Sequence, residues 1–206
     1  MKEKKIFLEI ENHLLNDEKP SLFLNEALHK GSFDKYPLSM IKDLKEVPQN
    51  PKYHPEGNVF IHTMMVVDEG AKRREISNDK RIFMWALLLH DIGKKPTTKM
   101  RKGRLTSYDH DKVGAEMAEE FLNYFNESQE FITYVRKLIR WHMQSLFVIK
   151  NTKFQDVEGI LKDVSVDDIA LVSLCDRLGR GGLDNSLREQ TLNDIEFFKK
   201  TLNSKK

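Results

Sequence analysis

Apolar residues recur at three- and four-residue spacing along nearly the whole chain. Ile6, Phe7, Ile10 and Leu14 set one stripe, and Val59, Met64 and Val67 another. This is the period of amphipathic helices that turn one face to a core. Strand-like alternation is nearly absent. The pattern predicts helices over 3–15, 21–30, 37–46, 58–76, 79–91, 110–126, 128–145, 154–162, 166–178 and 186–203, and hence an all-α helical bundle. Ser21, Asn78 or Asp79, Ser128 and Ser165 stand where they can accept hydrogen bonds from first-turn amides. Gly31, Gly93 and the Gly179, Gly181, Gly182 group permit loop or positive-φ backbone, while Pro48, Pro51, Pro55 and Pro96 exclude continued helix. From Lys94 to Asp109 six basic residues and Gly103 interrupt the helical period. That segment reads as an irregular loop or short hairpin, and it is the part of the chain best suited to act as a lid.

Composition narrows the class. With 206 residues, 39% of them hydrophobic, the chain is long enough for one substantial core but short for two. The expected organisation is a central unit over 50–182, with N-terminal helices (1–49) and a C-terminal helix (183–206) packed on it as one compact domain. Lys and Arg number 34 against 32 Asp and Glu, a net charge of +2, so affinity for phosphate must come from local clusters rather than bulk charge. The opening Met1-Lys2-Glu3-Lys4-Lys5-Ile6 reads as the start of an amphipathic helix and not as a secretory signal. The apolar run that ends in Trp85 to Leu89 is far short of the roughly 20 residues that span a bilayer. A single cysteine, Cys175, lies among Leu171, Leu174 and Leu178, which excludes an internal disulfide, reads as a core residue and fits a reducing, cytoplasmic setting.

Against this background a few polar residues stand out. Trp85-Ala86-Leu87-Leu88-Leu89 runs directly into His90-Asp91-Ile92-Gly93-Lys94 at a helix end. A helix that apolar is buried, so its terminal His and Asp require hydrogen bonds, counter-charge or a metal. His62 sits among Val59, Phe60, Ile61, Met64 and Met65, His142 follows Trp141, Asp176 interrupts Leu174-Cys175-Asp176-Arg177-Leu178, and His110 opens a further helix. One inward-facing histidine is an ordinary core residue. Four histidines and two carboxylates on separate helices are costly to bury without a shared partner, and a divalent metal is such a partner.

The order of these residues, His62, then His90-Asp91, then a distant Asp176 with His110 and His142 between, resembles the HD superfamily of metal-dependent phosphohydrolases. The resemblance covers roughly 50–182. It extends to Asn50-Pro51-Lys52-Tyr53-His54-Pro55-Glu56-Gly57 ahead of His62-Thr63, and to Asp176-Arg177-Leu178-Gly179-Arg180. Both segments are similar to the HD domain attached to some bacterial CCA-adding tRNA nucleotidyltransferases. The chain shows no Gly-Ser or Gly-Gly turn followed by an Asp-x-Asp pair, so CCA addition is not carried over and a stand-alone HD unit is expected. The resemblance implies that His62, His90, Asp91 and Asp176 hold one ion and that Asp91 bridges to a second held by His110 and His142. A mononuclear site, with His110 serving only to cap its helix, stays open. Imidazole and carboxylate together suit Mn, Fe, Ni, Co or Zn better than Mg. Two such ions would attract phosphate and activate a water between them as nucleophile. Lys94 is expected at a phosphate oxygen or the leaving group, and His54 and Arg180 at the phosphate or ribose of the substrate. Lys95, Lys99, Arg101, Lys102 and Arg104 offer a basic rim, although surface charge on a loop is the commoner explanation.

The expected function is hydrolysis of a phosphate ester in a small nucleotide-like substrate, such as a cyclic phosphodiester or nucleoside monophosphate, or at an RNA end, with no membrane partner. The alternatives are a non-catalytic metal- or nucleotide-binding regulatory module, and a nucleic-acid adaptor using the basic loop. The adaptor is disfavoured by the near-neutral charge and by Tyr108 being the loop's lone aromatic.

Overall fold

The computed structural model describes residues 2–205. The chain runs through α1 (Lys2–Asn16), α2 (Pro20–His29), α3 (Ser39–Lys42), a 3₁₀ turn (Asp43–Glu46), α4 (Val59–Ala71), a second 3₁₀ turn (Arg74–Ile76), α5 (Lys80–Leu89) and α6 (Lys94–Thr97). A hairpin follows, β1 (Thr98–Arg101) and β2 (Arg104–Ser107), then α7 (His110–Tyr124), α8 (Gln129–Trp141), α9 (Gln144–Ile149), α10 (Val157–Asp163), α11 (Val166–Leu178) and α12 (Asn185–Asn203). The architecture is the expected all-α bundle, with one short antiparallel hairpin as its only sheet among the described residues.

α5 is the axis. It packs against α1, α4, α8 and α11, and every residue from Phe83 to Leu89 is at most 2% exposed. A helix apolar on all sides must be enclosed by others. The same core cluster runs from Ile6 in α1 to Leu202 in α12. Phe7 stacks on Trp85 with ring centroids 4.5 Å apart. The Glu11 carboxylate accepts from both Trp85 Nε1 (2.9 Å) and Arg81 Nε (2.6 Å), which satisfies polar groups where α1 lies on α5.

Helix starts follow side-chain chemistry. Asp79, Ser128 and Ser165 accept first-turn amides as expected, and Asn58, Asp156 and Asp184 do the same for α4, α10 and α12. Ser21 is a correction. Pro20, which needs no amide partner, takes the first turn of α2, and Ser21 Oγ instead donates to Asp68 Oδ2 at 2.7 Å. The helix expected over 128–145 is two, broken at His142 and Met143, and the one expected over 58–76 ends at Ala71. Cys175 is wholly buried, and burial pushes its thiol up to about 12, as suits a packing residue. No helix among the described residues is long and apolar enough to cross a membrane.

Candidate metal centre

Five helices meet at their ends. His62 lies in the first turn of α4, His90 and Asp91 follow the last residue of α5, His110 opens α7, His142 follows α8, and Asp176 lies near the end of α11. All six are buried. The structure brings them into one row with Asp91 at its centre. On one side, Asp91 Oδ2 lies 3.2 Å from His90 Nε2 and 3.8 Å from His62 Nε2. Asp176 Oδ1 closes that side at 3.0 Å from His62 Nε2 and 3.9 Å from His90 Nε2. On the other side, Asp91 Oδ1 lies 3.5 Å from His110 Nε2 and 3.9 Å from His142 Nε2. In each of the groups His62, His90, Asp91 and Asp91, His110, His142, one ligand atom per residue lies within 4.8 Å of the others.

Hydrogen bonding aims the rings. Nδ1 of His90, His110 and His142 lies 2.7, 2.7 and 2.6 Å from the carbonyls of Leu87, Ser107 and Ile139. A carbonyl only accepts, so each Nδ1 carries the proton and each Nε2 presents a lone pair inward. His110 Nε2 and His142 Nε2 consequently face each other at 3.3 Å, while His90 Nε2 and Asp91 Oδ1 are buried without a hydrogen-bond partner. The inward lone pairs of His90, His110 and His142, converging with Asp91 Oδ1 and without a donor among them, fit a cation. The His110 side chain does not cap its helix: Asp109 (φ 58°) holds the N-cap position.

The electrostatics agree. Burial pushes Asp91 and Asp176 toward protonation, but His90 and Lys94 around the first, and His62 and Arg180 around the second, hold both well below the ordinary carboxylate range. Burial, reinforced by His110 and His90, pushes His142 down to about 4, and burial likewise lowers His110. Both imidazoles thus stay neutral, the form that binds metal. Burial alone would lower His62; its contacts with Asp176 and Glu56 raise it instead.

Lys94 Nζ donates to Asp91 Oδ2 at 2.7 Å and to Gln49 Oε1 at 3.0 Å, so its ammonium lies at the row. His54 sits with its ring 4.9 Å from that of His62, and Arg180 is close enough for its charge to act on Asp176 and His54. Of the basic rim, Lys95 is paired with Glu46.

Glu56 and Gln49 were not singled out by sequence. Glu56 Oε1 lies 3.1 Å from His62 Nδ1 and 2.8 Å from His54 Nδ1, and Oε2 accepts from the Gly181 amide at 3.0 Å. A carboxylate between Pro55 and Gly57 reads as solvated loop. Its only signal was membership of the motif ahead of His62. Here it orients His62 as the Leu87, Ser107 and Ile139 carbonyls orient the other rings. Replacing Glu56 by Gln is expected to weaken metal affinity about 10- to 100-fold with the fold intact. Metal titration of chelated protein checks this, and unchanged affinity would show that Glu56 does not orient the ring.

Comparison with known proteins agrees with this geometry. The family model of the HD domain matches residues 53–181. Similar curated proteins include the Multifunctional CCA protein of Haemophilus influenzae (strain PittGG), 27% identical over 194 residues, with 88% of this chain and 45% of that protein covered. That of Halorhodospira halophila is 31% identical over 184 residues, with 78% of this chain and 43% of the relative covered. The chain thus spans less than half the length of these relatives. Since the family model covers more than half of the chain, and the His and Asp groups that could hold a metal fall within the match, the chain belongs to the HD domain family, which is of the metal-dependent phosphohydrolase type.

Proposed function

We propose that this protein hydrolyses a phosphate ester of a nucleotide-like substrate at a pair of metal ions. The observation that carries this reading is Asp91, whose two oxygens face two separate sets of inward lone pairs. His62, His90, Asp91 and Asp176 would hold one ion; Asp91, His110 and His142 would hold the other. Four imidazoles favour Mn, Fe, Ni, Co or Zn over Mg. When bound, the ions polarise a phosphoryl oxygen and lower the pKa of a water toward neutrality.

The chain's own residues supply the rest. Lys94, whose Nζ lies against Asp91 Oδ2, offers an ammonium to a phosphate oxygen or the departing oxygen. Arg180 makes no ion pair among the described residues and has a buried, unpartnered Nε, so its charge is free for an anion. His54 donates Nδ1–H to Glu56 and is held neutral, chiefly by burial. Its Nε2 therefore accepts, which suits a ribose hydroxyl better than a phosphate. The buried lone thiol fits a reducing cytoplasm.

The test is a panel of nucleoside monophosphates, cyclic nucleotides and phosphodiesters, assayed after chelation and reloading with Mn, Ni, Co, Fe, Zn and Mg. Metal-dependent release of phosphate or ring opening supports the reading; none with any ion overturns it. Within that assay Lys94→Ala is expected to lower turnover about 10²-fold while leaving metal content unchanged. Loss of metal in this variant would reassign Lys94 to holding Asp91.

A further inference from the structure

Lys94 and Lys95 are neighbours in the chain, and both reach the stretch 46–49, but they meet different chemistry there. Lys95 pairs with the carboxylate of Glu46. Lys94 Nζ, already 2.7 Å from Asp91 Oδ2, meets the neutral amide of Gln49 and donates to its Oε1 at 3.0 Å. An ammonium only donates, so the amide oxygen faces Lys94 and the amide nitrogen faces the Asn58 carbonyl, 3.5 Å away.

Gln49 is fixed where it stands. It is buried, and its backbone lies at the base of a closed loop. Gln49 N donates to the Gly57 carbonyl at 3.1 Å, Val59 N donates to the Val47 carbonyl at 3.0 Å, and Pro48 and Asn58 form an antiparallel bridge between them. The loop so closed also presents Glu56 to His62. One closed turn thus sets a side chain against the first half of the row and another against the lysine beside Asp91.

The plain alternative is an anchor that ties the 46–49 stretch to α6. A carboxylate at 49 would serve that purpose better, as Glu46 does for Lys95, because a charged acceptor binds an ammonium more strongly than an amide does. A neutral acceptor does what a carboxylate cannot: it holds a long, flexible side chain in one place without cancelling its charge. Of the three N–H donors on Lys94, Asp91 and Gln49 take two, which leaves one. We propose that Gln49 is the positioning residue for Lys94, keeping its ammonium beside Asp91 with one donor and its charge directed to an anionic phosphoryl oxygen. This rests on the hydrolytic reading above and adds to it a residue that touches no ligand of the row. Positive charge bound beside Asp91 Oδ2 would loosen that carboxylate's hold on the ammonium, whereas the uncharged Gln49 keeps its own.

The test uses the full chain reloaded with Mn and two readouts that need no turnover: calorimetric binding of inorganic phosphate, and the rate at which acetic anhydride modifies Lys94, followed by mass spectrometry. Gln49→Met keeps the bulk and removes the acceptor. It should leave metal content unchanged, speed Lys94 modification and weaken phosphate binding, each by about fivefold. Gln49→Glu separates position from charge. It should keep Lys94 modification as slow as in the parent and still weaken phosphate binding about tenfold, because the ammonium stays in place with its charge cancelled. In a Lys94→Ala background Gln49→Met should change phosphate affinity by less than about twofold, since its effect runs through the lysine. Phosphate binding in Gln49→Glu equal to the parent's would leave only the anchoring role and overturn the proposal. So would a parent that binds no phosphate, a Gln49→Met protein unchanged in both readouts, or an effect of that variant that survives loss of Lys94. Ester hydrolysis by a protein indifferent to these variants removes the positioning role alone; the expected pattern in a protein that hydrolyses no ester removes the hydrolytic reading alone.

Discussion

Asp91→Ala should abolish hydrolysis, by at least roughly 10³-fold, and strip the protein of metal. Asp91 is the one side chain with an oxygen toward each half of the row, Oδ2 toward His62 and His90 and Oδ1 toward His110 and His142. It is 1% exposed, so no water can take its place without reorganising the site. Its loss would leave four inward-facing imidazoles with Asp176 as the remaining carboxylate. Lys94 would also lose its 2.7 Å partner. Removing one partner of a buried charged set costs more than the set contributes when intact, because the others stay buried and uncompensated. Kinetics on the panel substrates and metal analysis of the purified variant check this together. An Asp91→Ala protein that retains metal and turns over within tenfold of the parent would remove the carboxylate from the centre of the account.

Gly93→Ala should destabilise the fold by about 3 kcal/mol or more, lowering Tm by roughly 6–12 °C. The expectation runs against ordinary substitution logic. Gly93 has φ −67° and ψ −12°, a helical conformation that alanine adopts without strain, and Gly→Ala at such a position ordinarily stabilises by about 0.4–1 kcal/mol. The obstacle is space. A Cβ at 93 would fall 2.1 Å from the His110 carbonyl oxygen and 2.4 Å from the Gly114 amide nitrogen, both backbone atoms that cannot rotate aside. Relief requires the start of α7 to move off the end of α5, which carries His110 away from Asp91. Thermal unfolding and metal affinity should therefore fall together. A Gly93→Ala protein as stable as the parent would show that α5 and α7 do not need this close approach.

Much of this architecture is legible in the chain itself, for a physical reason. Polar residues set in apolar helices are conspicuous because burying them is costly, so His62, His90, Asp91, His142 and Asp176 can be picked out before any fold is known. The all-α class follows from a period that holds from Ile6 to Leu202. What escapes is whatever depends on proximity between distant segments. Glu56 sits in a Pro- and Gly-flanked loop, and only the fold brings it to His62 and to the Gly181 amide. The need for glycine at 93 comes from the approach of α7, not from its own backbone angles. Periodicity also runs through His142 without a break, because the end of α8 is set by tertiary packing and leaves no mark on the apolar spacing. Ser21 misleads for a local reason: Pro20 starts the helix one residue earlier.

The central claim is that Asp91 joins two ions, and counting the metal bound per chain tests it most directly. The parent, reloaded after chelation, should carry about two ions, while His110→Ala and His142→Ala should each carry about one and keep the stabilisation of the His62, His90 and Asp176 side. Parent protein that never exceeds one ion, or His110 and His142 variants that bind metal as the parent does, would contradict the binuclear centre and leave a mononuclear or structural site in its place.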